Sequence, residues 1–156
     1  MKVMATKQPD WKTDVRKARH KQTQEDFTPP EVIDIMLQGQ EELFKDFSKS
    51  FLDPCIGIGF IYIEVLKKRF EYCKNTDDIL NAISTMYGTE LMPDNVEECK
   101  KNIIFEIMKF TSEHNMDINE SKVLKILNHN IVCTDTFKWD YENWKPINEQ
   151  KCDALF

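Results

Sequence analysis

Residues 51–60 read FLDPCIGIGF, and this stretch decides the fold. A short apolar run ends in Asp53, Pro54 and Cys55 follow, and Gly57 and Gly59 stand one residue apart ahead of the helix-patterned IYIEVLKKRF. Glycine adopts positive φ angles and lets a ligand approach the backbone where a Cβ would block it. Strand, glycine-rich turn and helix in that order form a small-molecule cradle or, without a ligand, simply a tight turn. A lone GxG does not choose between them.

The flanking sequence supplies the company such a turn needs. MYGTEL (86–91) reads as a buried strand ending in Glu90, and Pro93 opens a helix whose Val96, Cys99, Ile103, Ile107 and Phe110 recur at helical spacing. Residues 111–119 read as a polar loop, SKVLKILNH (121–129) as a further helix, and NIVCTD (130–135) as a third strand ending in Asp135. NTDDILNAIST (75–85) reads as a short extra helix inserted on the outer face, and CDALF (152–156) as the start of a fourth strand. Strands alternating with helices predict an α/β fold with a parallel sheet and right-handed crossovers. Ligands of such sheets bind at the carboxyl ends of the strands, so Asp53, Glu90 and Asp135 are expected along one edge. Upstream, FTPPEVIDIML (27–37) predicts a helix with Thr28 as N-cap, Pro29 in the first turn and Glu31 completing a capping box. Its apolar face would continue through Val32, Ile33, Met36, Leu37, Leu43, Phe44 and Phe47.

The 156 residues suit one domain with one core, and the composition, 41% hydrophobic and 31% charged, is that of a globular chain. No apolar run is long enough to span a bilayer and no signal-peptide pattern is present, which predicts a cytoplasmic protein. Five cysteines without a CxxC pair and three scattered histidines argue against disulfides and a metal site. The net charge of −6 is unevenly placed, because residues 1–26 form a basic arm. Lys12, Arg16, Lys17, Arg19 and Lys21 within it are candidate contacts to nucleic-acid phosphates, with a solvated tail as the alternative. Trp139, Tyr141 and Trp144 cluster in a polar loop, where they would cover a sheet edge or stack on bases.

In this order, FTPPEVIDIML, FLDPCIGIGF, YGTELMPDNVEECKKNI and NIVCTDTF resemble the S-adenosylmethionine-binding half of adenine-N6 DNA methyltransferases, over nearly all of residues 27–156. The resemblance implies a partial Rossmann-like, class I methyltransferase domain with S-adenosyl-L-methionine as cofactor. It implies that Asp53, Pro54, Cys55, Gly57 and Gly59 cradle the methionine moiety, closed over by Thr28 and Pro29. It implies that Glu90 accepts the ribose hydroxyls, that Asp135 accepts the adenine amino group, and that Leu91 and Phe137 wall the adenine ring. The family continues past a strand like CDALF into Asn or Asp, two prolines and an aromatic, and no such tetrapeptide occurs here. That segment positions the poorly nucleophilic adenine amino group, so no catalytic residue is assigned and the domain is expected to be incomplete at its C-terminus. The implied protein binds the cofactor without methylating DNA unaided, contacts DNA through the basic arm, and pairs through an exposed sheet edge with a second polypeptide or a second copy. A non-enzymatic DNA- or protein-binding module on the same fold is the alternative. A nicotinamide-dinucleotide site fits less well, because Tyr62 stands where GxGxxG has its third glycine.

Overall fold

A computed structural model describes residues 28–147; the basic residues Lys12, Arg16, Lys17, Arg19 and Lys21 and the CDALF segment lie outside the described residues. Two short helices, α1 (Pro30–Leu37) and α2 (Glu41–Lys45), precede strand β1 (Phe51–Asp53). Helices α3 (Phe60–Phe70) and α4 (Thr76–Ser84) lead to β2 (Met86–Glu90), then α5 (Pro93–Glu113) and α6 (Glu120–Asn130) to β3 (Ile131–Cys133). A 3-10 turn (Thr136–Lys138) and a hairpin of β4 (Trp139–Asp140) and β5 (Lys145–Pro146) follow.

The sheet is parallel, in the order β1-β2-β3, with Leu52 opposite Tyr87 and Thr89 opposite Val132. The chain is therefore α/β with helical crossovers, as the alternating pattern predicts. Among the described residues β1 pairs only with β2, which leaves its other edge free. No helix among them is long and apolar enough to cross a membrane.

The core takes its large side chains from the helices before β1, from both crossovers and from the strands: Ile33, Phe44, Tyr62, Leu66, Ile79, Ile83, Met86, Ile103, Ile107, Leu127 and Ile131. Burying one such aliphatic side chain stabilises the fold by about 1.5–3 kcal/mol. The NTDDILNAIST helix is not an outer-face appendage, since Ile79, Ala82 and Ile83 are fully buried. Asn75 caps it, its side chain accepting from the Asp78 amide at 3.0 Å.

Several boundaries differ from the sequence reading, among them the end of β3 at Cys133, two residues before Asp135. The N-cap of α1 is Pro29, with no side-chain cap from Thr28, because Pro30 is the first helical residue and the Pro29 carbonyl accepts from Val32 and Ile33. The expected long amphipathic helix breaks at Gly39, whose φ of 75° is left-handed; Ile33, Leu37 and Phe44 are buried while Val32 and Met36 are exposed. Helix α5 runs past Thr111 to Glu113. It closes on a Schellman motif, with Asn115 left-handed at φ 52°, Met116 donating to the Thr111 carbonyl at 2.8 Å and Asn115 to Ser112 at 3.4 Å.

Two buried polar side chains fasten the crossovers to the amino end of β2. Arg69, fully buried, donates from Nε to the Leu43 carbonyl, from Nη1 to the Ala82 carbonyl and Thr85 Oγ1, and from Nη2 to the Lys49 carbonyl, at 2.6–3.2 Å. Asn130 donates from Nδ2 to the carbonyls of Ile83, Ser84 and Met86 at 2.9–3.2 Å. The tryptophan segment is a hairpin rather than a loop. Trp144 packs edge-on against Tyr87 at 4.7 Å and donates from Nε1 to the His129 carbonyl at 2.7 Å, so its ring faces the sheet.

Candidate functional site

Strand β1 ends at Asp53, and the chain must turn sharply to enter α3. Asp53 Oδ1 accepts from the Cys55 amide at 3.2 Å, which starts the turn. Gly57 (φ 55°) and Gly59 (φ 93°) then take left-handed conformations, and Gly59 becomes the N-cap of α3. Gly59 also allows close packing, since a Cβ there would lie 2.8 Å from Cys99 Sγ in α5. Asn102 of α5 donates to the Ile58 carbonyl at 3.1 Å, holding the turn from the same side.

Glu90, at the carboxyl end of β2, reaches across to this turn. Its Oε2 accepts from the Gly57 amide and its Oε1 from the Met92 amide at the entrance of α5, both at 2.9 Å. The two contacts use one acceptor position on each oxygen and leave the others for a ligand. Burial, with the Glu90 charge as a lesser cause, raises the Asp53 carboxyl above the ordinary carboxylate range against the opposing Cys55 hydrogen bond. The Cys55 thiol, although exposed, is likewise raised, first by partial desolvation and then by the Asp53 and Glu90 charges.

Beyond β3, Asp135 caps the 3-10 turn through its Oδ1, which accepts from the Phe137 amide at 3.0 Å. Phe137 is 88% exposed and Leu91 65% exposed, two large apolar side chains left bare beside the carboxyl end of the sheet. A third cluster ties these segments together. Thr89 Oγ1 donates to the Pro54 carbonyl at 2.7 Å and lies 3.2 Å from the Tyr141 hydroxyl, which in turn contacts the Thr136 hydroxyl and donates to the Thr136 carbonyl at 3.0 Å.

Direct hydrogen bonds thus join Asp53 to Cys55 and Gly57 to Glu90, while Pro54 is linked through Thr89 and Tyr141 to the turn carrying Asp135 and Phe137. Thr28 and Pro29 stand at the entry of α1, and among the described residues no hydrogen bond joins them to the glycine turn. No sequence pattern marks Thr89 or Asn102, and Tyr141 stands out only as one of three clustered aromatics, because side-chain bonds spanning 35 to 52 residues leave no periodicity. Among the described residues no cluster of histidine, cysteine, aspartate or glutamate has the geometry of a metal site, and Cys55, Cys73, Cys99 and Cys133 are free thiols.

Comparison with protein-family models, curated proteins and solved structures finds no match to this chain.

Proposed function

We propose that this chain is the S-adenosyl-L-methionine-binding portion of an adenine-N6 DNA methyltransferase, with a Rossmann-like class I fold. The carrying observation is the 2.9 Å bond between the Gly57 amide and Glu90, which brings a left-handed GxG turn and an acidic strand end 33 residues away to one point. The residues fit such a cofactor. The Cys55, Ile56, Gly57 and Gly59 amides already donate within the protein, so the remaining backbone of the turn at 54–59 would meet the methionine moiety, and a second acceptor position on each Glu90 oxygen would take the ribose hydroxyls. Leu91 and Phe137 supply apolar surface for a purine ring, and Asp135 an acceptor for its amino group. When bound, the cofactor supplies a methyl group activated by its sulfonium. The chain's own residues orient it, and no Asn/Asp-Pro-Pro-aromatic segment in the sequence is placed to hold an acceptor base.

The same reading assigns DNA phosphate contact to Lys12, Arg16, Lys17, Arg19 and Lys21. Such binding weakens steeply with salt, and affinity unchanged between about 50 and 200 mM salt would refute it. It also assigns an exposed sheet edge, left where the sheet has no further strand beside it, to a second polypeptide or a second copy of the chain. A strictly monomeric species in sedimentation at micromolar concentration, with no partner recruited, would count against that pairing.

Ligand binding is the direct test. Saturation with S-adenosylhomocysteine at about a hundred times its Kd stabilises a one-site protein by about 2.7 kcal/mol, which is about 5–10 °C in Tm for a chain of this size. That shift is expected here, together with its loss in Glu90→Ala and no methyl transfer to DNA by the isolated chain. The absence of a shift and of calorimetric heat overturns the cofactor reading; robust methylation by the pure chain overturns the division of labour.

A further inference from the structure

We infer that Tyr141 and Thr89 are positioning residues that make the adenine end of the site selective, an inference that rests on the cofactor reading above. Their hydroxyls join three segments at residues adjoining candidate contacts. Pro54 follows Asp53 in the glycine turn, Thr89 precedes Glu90, and Thr136 lies between Asp135 and Phe137.

Proton counting fixes the direction of the chain of bonds. Thr89 has one hydroxyl proton and donates it to the Pro54 carbonyl at 2.7 Å. In its 3.2 Å contact with Tyr141 it must therefore accept. The tyrosine proton is shared between Thr89 Oγ1 and the Thr136 carbonyl, 3.0 Å away, and the Thr136 hydroxyl donates to the tyrosine oxygen. Thr89, fully buried, also lies 3.4 Å from the Thr136 hydroxyl, so the three hydroxyls close a triangle that joins the glycine turn, β2 and the 3-10 turn.

The consequence falls on the 3-10 turn. Asp135 uses Oδ1 on the Phe137 amide, which leaves Oδ2 as the acceptor that can read an exocyclic amino group. The angle of that carboxylate is set by a turn of three residues, and the tyrosine hydroxyl holds that turn's Thr136 carbonyl, beside the 3.4 Å contact between the Thr89 and Thr136 hydroxyls and the 2.8 Å bond from the Thr134 amide to the Glu90 carbonyl. Phe137, almost wholly exposed, has little packing of its own to fix it. Removing the hydroxyl loosens the turn that carries Asp135 and Phe137 while leaving the Thr134 bond to Glu90 and the Gly57 bond to Glu90 in place. The expected defect is therefore lost discrimination at the purine 6-position, not a uniform loss of affinity.

The test compares S-adenosylhomocysteine with its analogue lacking the 6-amino group, by calorimetry on the full chain and on Tyr141→Phe, which keeps the aromatic ring. The wild-type protein is expected to prefer the amino compound about 5–10-fold, the worth of one buried hydrogen bond, and Tyr141→Phe to bring that ratio to about 1–2. Thr89→Val, which also loses the link to Pro54, is expected to narrow the ratio and weaken both ligands. Equal weakening of both ligands by Tyr141→Phe, or an unchanged ratio, overturns the assignment. If neither ligand binds the wild-type chain, the cofactor reading falls. Hydrogen exchange then judges the positioning role alone: faster exchange at residues 135–138 in Tyr141→Phe supports it, and unchanged exchange there refutes it.

Discussion

Gly59→Ala tests the packing of the glycine turn against α5, and its cost can be worked from two independent terms. The φ of 93° puts the residue where an L side chain is strained, worth about 1–2 kcal/mol. The new Cβ would also lie 2.8 Å from Cys99 Sγ, and Cys99 is fully buried, so the sulfur cannot swing aside into solvent. Overpacking of this kind costs about 1–3 kcal/mol. The single variant should therefore lose about 2–5 kcal/mol in urea unfolding. In a Cys99→Ala background the clash is gone and only the backbone term remains, so the same substitution should cost about 1–2 kcal/mol. The difference between the two backgrounds is the coupling energy of a double-mutant cycle. An equal penalty in both would refute the close-packing argument, and no penalty in either would refute the left-handed conformation as well.

Arg69→Met keeps the bulk of the side chain but strips donors from three main-chain carbonyls and Thr85, and a loss of about 3–5 kcal/mol in chemical denaturation is expected, partly restored in Arg69→Lys. A loss under about 1 kcal/mol would mean that water replaces the guanidinium. Asp53→Asn addresses the raised carboxyl. A raised folded pKa contributes stability at acid pH that is lost as pH rises through that pKa, so the amide, which keeps the acceptor for Cys55, should be more stable than wild type near pH 8. The advantage should shrink toward about pH 4. Parallel stability–pH curves for the two proteins would contradict the burial argument.

The three strands were legible because each short apolar run is punctuated by an acidic residue and then by proline, glycine or a turn. Asp53 and Glu90 end their strands as that pattern predicts, and Asp135 follows β3 by two residues. Helix limits were less legible. Gly39 and Asn115, both residues that tolerate left-handed backbone, are the local signals for the break after α1 and the end of α5; polarity alone placed the second boundary too early at Thr111. The buried face of α4 was hidden because Ile79, Ala82 and Ile83 sit among acidic and amide residues that suggest a solvated appendage. Arg69 is the clearest case of information absent from a pattern. Beside Lys67 and Lys68 it reads as one more surface cation at the end of α3, and only the main-chain carbonyls that gather around it make it interior. Of the candidate site, the glycine turn and Glu90 were readable as motifs, whereas the hydroxyl cluster of Thr89, Thr136 and Tyr141 exists only once the hairpin returns to β2.

The two side chains that fasten the amino end of β2 also set an order of assembly. Arg69 closes its contact with Thr85 over 16 residues, whereas Asn130 reaches Ile83 over 47. By loop-closure entropy alone the shorter ring costs about 1 kcal/mol less. All the partners of Arg69 precede Met86, so the first crossover can latch before the second has a strand to dock against. During synthesis the sheet can then grow outward from β1 in the direction in which the chain is made, each new strand arriving at a neighbour already held in register.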